Sequence, residues 1–441
     1  MRISLVDPLV RQRLCGHDIG QVGQTHFVPE IVVFLQAPRD LQRFGRLIEQ
    51  RQISLVRDVG EDSVSSINCC PTVRIAAVVT SLASPAFAQQ LPPPMGQPSN
   101  APGVPKFQPE PYWPKPLPGN WILGQVSGIA VDRNDHIWII HRPSTLFDDE
   151  KGATKNPPET KCCSAAPPVL EFDQDGNLLR YWGGPGAGYD WPKSEHGIYI
   201  DSQGNVWLAG NDNADHQILT FTGDGKFLHQ IGNANVTGDS NSQDKLGRPA
   251  HMVLDEQASE LYVADGYKNR RVIVFDAKSG AYKRHWGAYG HKPSDEKIAA
   301  YKPDAPPSEQ FSNPVHCVRL SNDALVYVCD RANDRIQVFR KDGTFAKEFR
   351  IEPETLLNGS VWDLVLSEDP GQKYIFIADG ANGQIITINR DDGKVLTQWG
   401  RHGRQPGQFK WVHNIAIDSK GNIYTAEVGF GHRTQKFRRM E

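Results

Sequence analysis

The sequence predicts an all-β protein, a six-bladed β-propeller, from three observations. The 441 residues include 40 Gly and 10 Trp, and short apolar runs broken by turn residues recur along the chain, which favours strands over helices. From Val126 onward one pattern of segments repeats six times, the signature of a repeat architecture. The last copy is incomplete, as expected where a ring is closed by a strand from another part of the chain.

Each copy of the repeat contains recognisable strand segments. The first is an apolar strand ending in Asp or Ser: VSGIAVD, EHGIYID, AHMVLD, VHCVRLS, VWDLVLS and VHNIAID. The second is a short strand after a turn: HIWIIH, NVWLAG, ELYVAD, LVYVCD, KYIFIAD and NIYTAE. A pair of strands follows, with ends that read NLLRYWG, KFLHQIG, AYKRHWG, TFAKEFR and KVLTQWG. Four strands joined by hairpin turns form one blade, so six copies predict six blades.

The sixth copy ends at HRTQKF and lacks a fourth strand. The segment NWILG at 120–124 precedes the first copy and has no blade of its own. We expect this N-terminal segment to supply the outer strand of the last blade, because that pairing would close the ring and remove an exposed edge.

The first 119 residues differ from the repeats. Residues 73–88 contain one basic residue, an apolar run and the ending Ala-Phe-Ala, the three parts of a secretory signal peptide. We therefore interpret 1–72 as a non-native or disordered extension, 73–88 as a signal peptide, 89–119 as a Pro-rich linker and 120–441 as the propeller. This predicts a secreted or periplasmic protein. The alternative for 73–88 is a buried strand of an N-terminal domain.

Charge and cysteine content narrow the classes of partner. Charged residues make up 22% of the chain, the formal net charge is −3, and no basic run stands out. We therefore expect no nucleic-acid partner. We also expect a monomer, without a membrane span in the mature chain. Cys317 and Cys329 lie on strands predicted to be adjacent, so they form either a disulfide or two buried thiols.

One position of the first strand carries a histidine in four of the six copies. The aligned residues are Ser127, His196, His251, His316, Trp362 and His413. This position opens the innermost strand of each blade, so its side chains should meet at one mouth of the central channel. Because blade cores are otherwise apolar, four histidines at one repeat position indicate a site rather than packing.

Three of these histidines, His196, His316 and His413, belong to alternate blades, about a third of a turn apart. Three imidazoles with an open fourth position are the ligand set of a catalytic zinc, although nickel, copper and iron also accept imidazole. His251, from the third blade, is a candidate for a further ligand, a proton carrier or a substrate contact.

The second strand of each blade returns to the same mouth. Arg142 follows this strand in the first copy, Arg331 occupies the matching place in the fourth, and Tyr267 lies one residue further in the third. Guanidinium groups suit a carboxylate, and a phenol can transfer a proton. The alternatives are a surface role for Arg331 and a packing role for Tyr267.

The repeats resemble those of a known family. GQVSGIAVD, IIHRP, HGIYIDSQGNVW, VADGYKNRRVIVF, CDRANDRIQVF and VHNIAIDSKGNIY look like NHL repeats and, in this order, like the catalytic core of peptidyl-α-hydroxyglycine α-amidating lyase, over about 124–437. The resemblance implies a lyase that splits a peptidyl-α-hydroxyglycine into a peptide amide and glyoxylate. It also implies zinc on the three alternate-blade histidines, Tyr267 as the base, and Arg142 and Arg331 as substrate-binding residues.

The resemblance further implies a structural calcium in the channel, near Ile129, Ile198 and Asn414. The chain departs from the family at three positions. Asn414 stands where the family has Asp, Lys268 stands where it has a disulfide Cys, and His251 stands where it has no metal ligand. We expect no monooxygenase domain beside the repeats, and therefore a small-molecule or peptide α-hydroxy amide as substrate.

Two other functions fit the same sequence. A propeller without a metal could bind a protein or a glycan through its rim loops, since a fold alone implies no chemistry. A metal-dependent lactonase or hydrolase would use a metal-activated water. That function predicts Asp or Glu ligands at the mouth, and the aligned position offers none.

Overall fold

The computed structural model describes residues 103–440. The predicted extension, the signal peptide and the first part of the linker lie outside this range. Within it, none of the helices has the length and hydrophobicity needed to traverse a bilayer.

Six four-stranded antiparallel sheets form the molecule, and their inner strands contact one another in a closed ring. The predicted six-bladed β-propeller is confirmed. From the channel outward, blade 1 contains Gln125–Val131, Ile137–Arg142, Val169–Phe172 and Leu178–Trp182. Blade 2 contains Glu195–Ile200, Val206–Gly210, Gln217–Phe221 and Phe227–Gly232. Blade 3 contains His251–Asp255, Glu260–Asp265, Arg271–Asp276 and Tyr282–Trp286.

The remaining three blades follow the same order. Blade 4 contains Val315–Leu320, Leu325–Asp330, Arg335–Arg340 and Phe345–Arg350. Blade 5 contains Asp363–Leu366, Tyr374–Asp379, Gln384–Asn389 and Val395–Trp399. Blade 6 contains Val412–Ile417, Ile423–Glu427, Arg433–Met440 and Lys106–Pro109. Short 3-10 helices connect some strands at Pro118–Asn120, Pro143–Thr145, Asp148–Thr154, Ala288–Gly290 and Arg331–Asn333.

The ring is closed by an N-terminal strand, but not by the expected one. Lys106–Pro109 pairs with Arg433–Met440, whereas Trp121–Ile122 pairs in parallel with Ser164–Ala165. The prediction for 120–124 was therefore wrong, and part of the predicted linker belongs to blade 6. The reason is that the segment 120–124 is too close along the chain to blade 1 to extend to the outer edge of blade 6. The innermost strand of blade 1 begins three residues after Ile122, a step of at most about 10 Å, while the outer edge of a blade lies about 14 Å from its innermost strand.

Apolar side chains fill the space between neighbouring blades. One buried cluster, for example, joins Ile129 and Phe172 of blade 1 to Tyr424 of blade 6. On the inner pair of strands of blade 4, Cys317 and Cys329 lie opposite each other and form a disulfide. The alternative of two free thiols is thereby excluded.

Candidate metal centre

The three alternate-blade histidines meet at one mouth of the channel. His196, His316 and His413 are all buried, and their potential ligand atoms lie within 4.8 Å of one another. Their ring centroids are 4.7 to 5.1 Å apart, which is a nearly equilateral triangle. Each residue stands at or near the start of an inner strand, so the six-fold repeat itself brings the imidazoles together.

Hydrogen bonds orient each ring of the triad. Nδ1 of His196 donates to the carbonyl oxygen of Ala250 at 2.8 Å, and Nδ1 of His316 donates to the carbonyl oxygen of Trp362. Nδ1 of His413 donates to the side-chain oxygen of the following residue. A nitrogen that bonds to a carbonyl oxygen carries the proton, so Nε2 of each neutral ring keeps a free lone pair. This tautomer is the one that binds a metal through Nε2.

Tyr267 reaches the same point from blade 3. Its hydroxyl oxygen lies 2.8 Å from Nε2 of His196 and 3.2 Å from Nε2 of His316. One hydroxyl has one proton and can donate to only one of these two lone pairs. A cation between the rings would satisfy both of them, so the donor set fits a divalent metal with imidazole ligands.

Burial keeps the imidazoles neutral. Desolvation, followed by the charges of His413 and Arg142, lowers the pKa of His196 well below its usual range. Desolvation and then the charge of Arg331 do the same to His316. For His413, desolvation and the charges of Arg142 and Arg331 lower the pKa to about 3. Neutral imidazole is the protonation state that coordinates a metal ion.

Arg331 lies beside the triad at the start of a short 3-10 helix. The residue is only 8% exposed, and its guanidinium carbon is 4.3 Å from the centroid of the Trp362 ring and 5.9 Å from that of Tyr267. Its Nε has no hydrogen-bond partner within the described part of the chain. Burial lowers its pKa, and Tyr267 opposes that shift. A buried guanidinium with an uncommitted donor is suited to an anionic ligand.

Arg142 also lies at the mouth, and each of its three guanidinium nitrogens donates one hydrogen bond to the protein. Its Nε donates to the Glu195 carbonyl at 2.7 Å, its Nη1 to Gln125 at 3.0 Å and its Nη2 to Asn211 at 3.2 Å. Desolvation lowers its pKa, while Tyr267 and then Glu195 raise it. Arg142 therefore contributes positive charge and holds neighbouring strands together.

The structure does not bring His251 into the triad. Its ring is buried and its Nδ1 donates to the Val318 carbonyl at 3.1 Å. It lies instead near an ion pair in which Arg319 contacts Asp363 at 2.7 Å. Desolvation and then the charge of Arg319 lower the pKa of His251 to about 3.

Of the three predicted calcium positions, the side chain of Asn414 is committed to hydrogen bonds within the protein. The side-chain oxygen of Asn414 accepts a hydrogen bond from His413, and its amide nitrogen donates to Asp363 at 3.0 Å. The same carboxylate already pairs with the guanidinium of Arg319. An amide that presents its nitrogen to a neutralised carboxylate offers little to a hard cation. The side chains of Ile129 and Ile198 pack in two separate apolar clusters, so these residues could offer calcium only their backbone carbonyl oxygens.

Sequence reasoning missed three charged residues of the channel. Arg319 and Asp363 interrupt the apolar inner strands VHCVRLS and VWDLVLS, which was a visible signal. Arg248 lies outside the strands, and its guanidinium carbon is 5.6 Å from the Tyr267 ring centroid. It lies three residues before His251, outside the strand segments that define the repeat, so the alignment of those segments did not include it.

Comparisons with known proteins agree with the resemblance. No family model matches the chain. It is 27% identical over 322 residues to a peptidylglycine alpha-amidating monooxygenase of Rattus norvegicus, covering 70% of this chain and 30% of that protein. It is 28% identical over 316 residues to a probable peptidyl-alpha-hydroxyglycine alpha-amidating lyase of Caenorhabditis elegans, covering 69% and 80%. It is 28% identical over 288 residues to NHL repeat-containing protein 3 of Homo sapiens, covering 62% and 72%.

The chain spans about a third of the length of the monooxygenases it matches, and most of the length of the lyases. Among solved structures, a streptogramin B lyase aligns with a TM-score of 0.45 and 12% identity, covering 76% of this chain and 98% of that chain. The chain is thus homologous, at a distance, to proteins named as amidating lyases and as NHL repeat proteins.

Proposed function

We propose that this protein is a metal-dependent carbon–nitrogen lyase that cleaves an α-hydroxyglycine-type amide to an amide and glyoxylate. The observation that carries the proposal is the buried histidine triad, whose ligand atoms lie within 4.8 Å of one another with Tyr267 against two of the rings. Relatives named as amidating lyases, at 24% and 28% identity, support the same reaction class.

His196, His316 and His413 would hold the metal through Nε2, and zinc suits three neutral imidazoles with an open position. When bound, such an ion stabilises negative charge on a substrate oxygen as a Lewis acid.

The side chains around the triad transfer the proton, bind the substrate carboxylate and stabilise the developing charge. Once its own hydroxyl proton has been released to solvent, the oxygen of Tyr267 takes the proton of the substrate hydroxyl, because it lies 2.8 Å from Nε2 of His196 at the centre of the site. As the C–N bond breaks, the hydroxyl oxygen becomes the aldehyde oxygen of glyoxylate, and Tyr267 passes the proton it took to the leaving nitrogen, which becomes the amide. Arg331 binds the substrate carboxylate and Arg142 adds positive charge, both of which favour the charge that develops during cleavage.

We also propose that the protein acts outside the cytoplasm as a monomer. The disulfide between Cys317 and Cys329 supports an oxidising compartment. The signal-peptide interpretation of 73–88 lies outside the described residues and remains a prediction. N-terminal sequencing of exported protein tests it, and a mature chain that begins at Met1 would contradict it.

A binding propeller without catalysis is the second candidate. It is favoured by the similarity to a protein named only for its repeats, NHL repeat-containing protein 3, because a propeller can serve solely as a rim for partners. In that case the triad would bind no metal at stoichiometry.

The proposed reaction is tested by release of glyoxylate from N-benzoyl-α-hydroxyglycine by zinc-loaded protein. We expect turnover by the wild type and a loss of about 10²-fold or more in kcat for Tyr267→Phe, the usual range for removal of a general base. Tyr112→Phe is the matched control, because Tyr112 is 91% exposed. No glyoxylate from the loaded wild type would contradict the proposal.

A further inference from the structure

Arg248 is held in an unusual backbone conformation next to the proposed base. Its φ is +64°, in the left-handed region that favours glycine and that a long side chain adopts at a cost. Its carbonyl oxygen accepts a hydrogen bond from the backbone of Tyr267 at 3.2 Å. The backbone therefore couples the placement of Arg248 to that of Tyr267.

The side chain of Arg248 is fixed at one end and uncommitted at the other. Its Nε and Nη2 both donate to the Asn211 carbonyl, at 2.7 and 2.5 Å, while its guanidinium carbon stands 5.6 Å from the Tyr267 ring centroid. Asn211 also accepts from Arg142 through its side chain, so the two arginines share one anchor. Among residues 103–440 no hydrogen bond involves Nη1 of Arg248, which leaves a pair of donors for a ligand.

The charges at the mouth are unbalanced. In the described chain no carboxylate lies within ion-pair distance of Arg142, Arg248 or Arg331, whereas the buried Arg271 and Arg335 each have one. An α-hydroxyglycine unit carries a single carboxylate and balances one guanidinium. Arg331 is the nearer to the triad, since it stacks on Trp362, whose ring centroid lies 5.9 Å from that of His316. A second guanidinium, 5.6 Å from the Tyr267 ring centroid, matches a second anionic group on the same molecule.

We propose that the site takes dianionic substrates: N-acyl-α-hydroxyglycines whose acyl group carries a second carboxylate, which Arg248 binds. The inference rests on the proposed lyase function. Arg331 binds the carboxylate of the hydroxyglycine unit, and Arg248 binds the acidic end of the acyl group. Arg248 thereby determines substrate specificity without taking part in bond cleavage.

The test compares N-succinyl-α-hydroxyglycine with its neutral isostere N-succinamoyl-α-hydroxyglycine on the full protein. The wild type should have at least about a 10-fold higher kcat/KM for the succinyl compound, expressed mainly in KM, as expected for a charge-assisted contact. In Arg248→Asn the ratio should fall to within about 2-fold, because Asn tolerates a left-handed φ but has no charge. Arg248→Lys should keep part of the preference. Arg133→Asn, which changes an exposed arginine on a strand turn, should keep the full ratio.

Binding of the unreactive analogues N-succinylglycine and N-succinamoylglycine, measured by calorimetry, separates the two proposals. If the wild type cleaves neither hydroxy compound, the lyase function fails, while the ratio of the two dissociation constants still judges Arg248. A wild type that binds and cleaves both compounds equally would overturn the dianion proposal. So would a preference for the succinyl compounds that survives in Arg248→Asn.

Discussion

Two guanidinium groups in the same channel, those of Arg319 and Arg331, have opposite surroundings. Arg319, deeper in the channel, pairs with Asp363 at 2.7 Å and also donates to the Ile415 carbonyl at 3.2 Å. Arg331, at the mouth, has no carboxylate within ion-pair distance in residues 103–440, and its Nε has no partner there. Both side chains are largely removed from water, with exposures of 16% for Arg319 and 8% for the Arg331 residue.

The paired Arg319 and the unpaired Arg331 suggest different roles for two parts of the same channel. A buried charge is costly unless it is paired, and the Arg319–Asp363 pair meets that condition inside the protein. Arg331 has no such partner within the protein, so a bound anion would be needed to pair its charge. Under the proposed function, the interior of the channel stabilises the fold and its mouth binds a ligand, and the predictions below test this contrast.

The largest effect is expected in the interior. Asp363→Ala leaves Arg319 buried without its partner, which should lower the free energy of unfolding by about 3–5 kcal/mol. Denaturant unfolding measures it. The matched control is the double variant Arg319→Met, Asp363→Leu, which removes both charges and should recover most of the loss. A loss below about 1 kcal/mol in the single variant would show that the pair is not the stabilising element.

At the mouth, removing a charged side chain should reduce catalysis rather than stability. Arg331→Met removes a guanidinium that has no protein carboxylate, so the free energy of unfolding should stay within about 1 kcal/mol of the wild type. The value of kcat/KM should fall about 100-fold, equivalent to about 2.7 kcal/mol of transition-state stabilisation. Steady-state kinetics and denaturant unfolding are measured on the same sample. A stability loss above about 3 kcal/mol with unchanged kinetics would reverse the assignment.

Lowering the pH should reduce the free energy of unfolding, because His251 becomes protonated more readily in the unfolded chain. Its folded-state pKa is lowered to about 3, below the unfolded value of about 6.5, so its contribution to stability is complete above pH 6.5. That contribution is lost as the pH falls from 6.5 toward 3, because the unfolded chain binds the proton more readily. Between pH 7 and pH 5 the wild type should lose about 2 kcal/mol more than His251→Asn. Unfolding in EDTA at both pH values measures this, and equal losses in the two proteins would contradict it.

The smallest effect concerns calcium. Because Asn414 already bonds to His413 and Asp363, and Arg319 neutralises that carboxylate, we expect EGTA or added calcium to shift the melting temperature by less than about 2 °C. Thermal unfolding of the zinc-loaded protein in either condition provides the measurement. A rise of about 5 °C or more with millimolar calcium would restore the calcium site that the resemblance implies.

The repeat determined what could be predicted. Blade number and the meeting of His196, His316 and His413 both follow from one periodic pattern, since equivalent positions of equivalent strands converge on the channel. Contacts made by segments that do not recur in the six copies could not be predicted from the periodic pattern. The closing strand at Lys106–Pro109 pairs with a segment more than 300 residues away along the chain, and Arg248 depends on a left-handed backbone outside any strand.

The most direct test of the account is the metal content of the purified protein by elemental analysis after zinc loading and gel filtration. We predict about one zinc per chain in the wild type and in His251→Ala, which removes a buried histidine outside the triad, and under about 0.1 in the double variant His196→Ala, His316→Ala. A wild type that retains no transition metal, or a double variant that retains it at full stoichiometry, would contradict the metal centre and with it the lyase function.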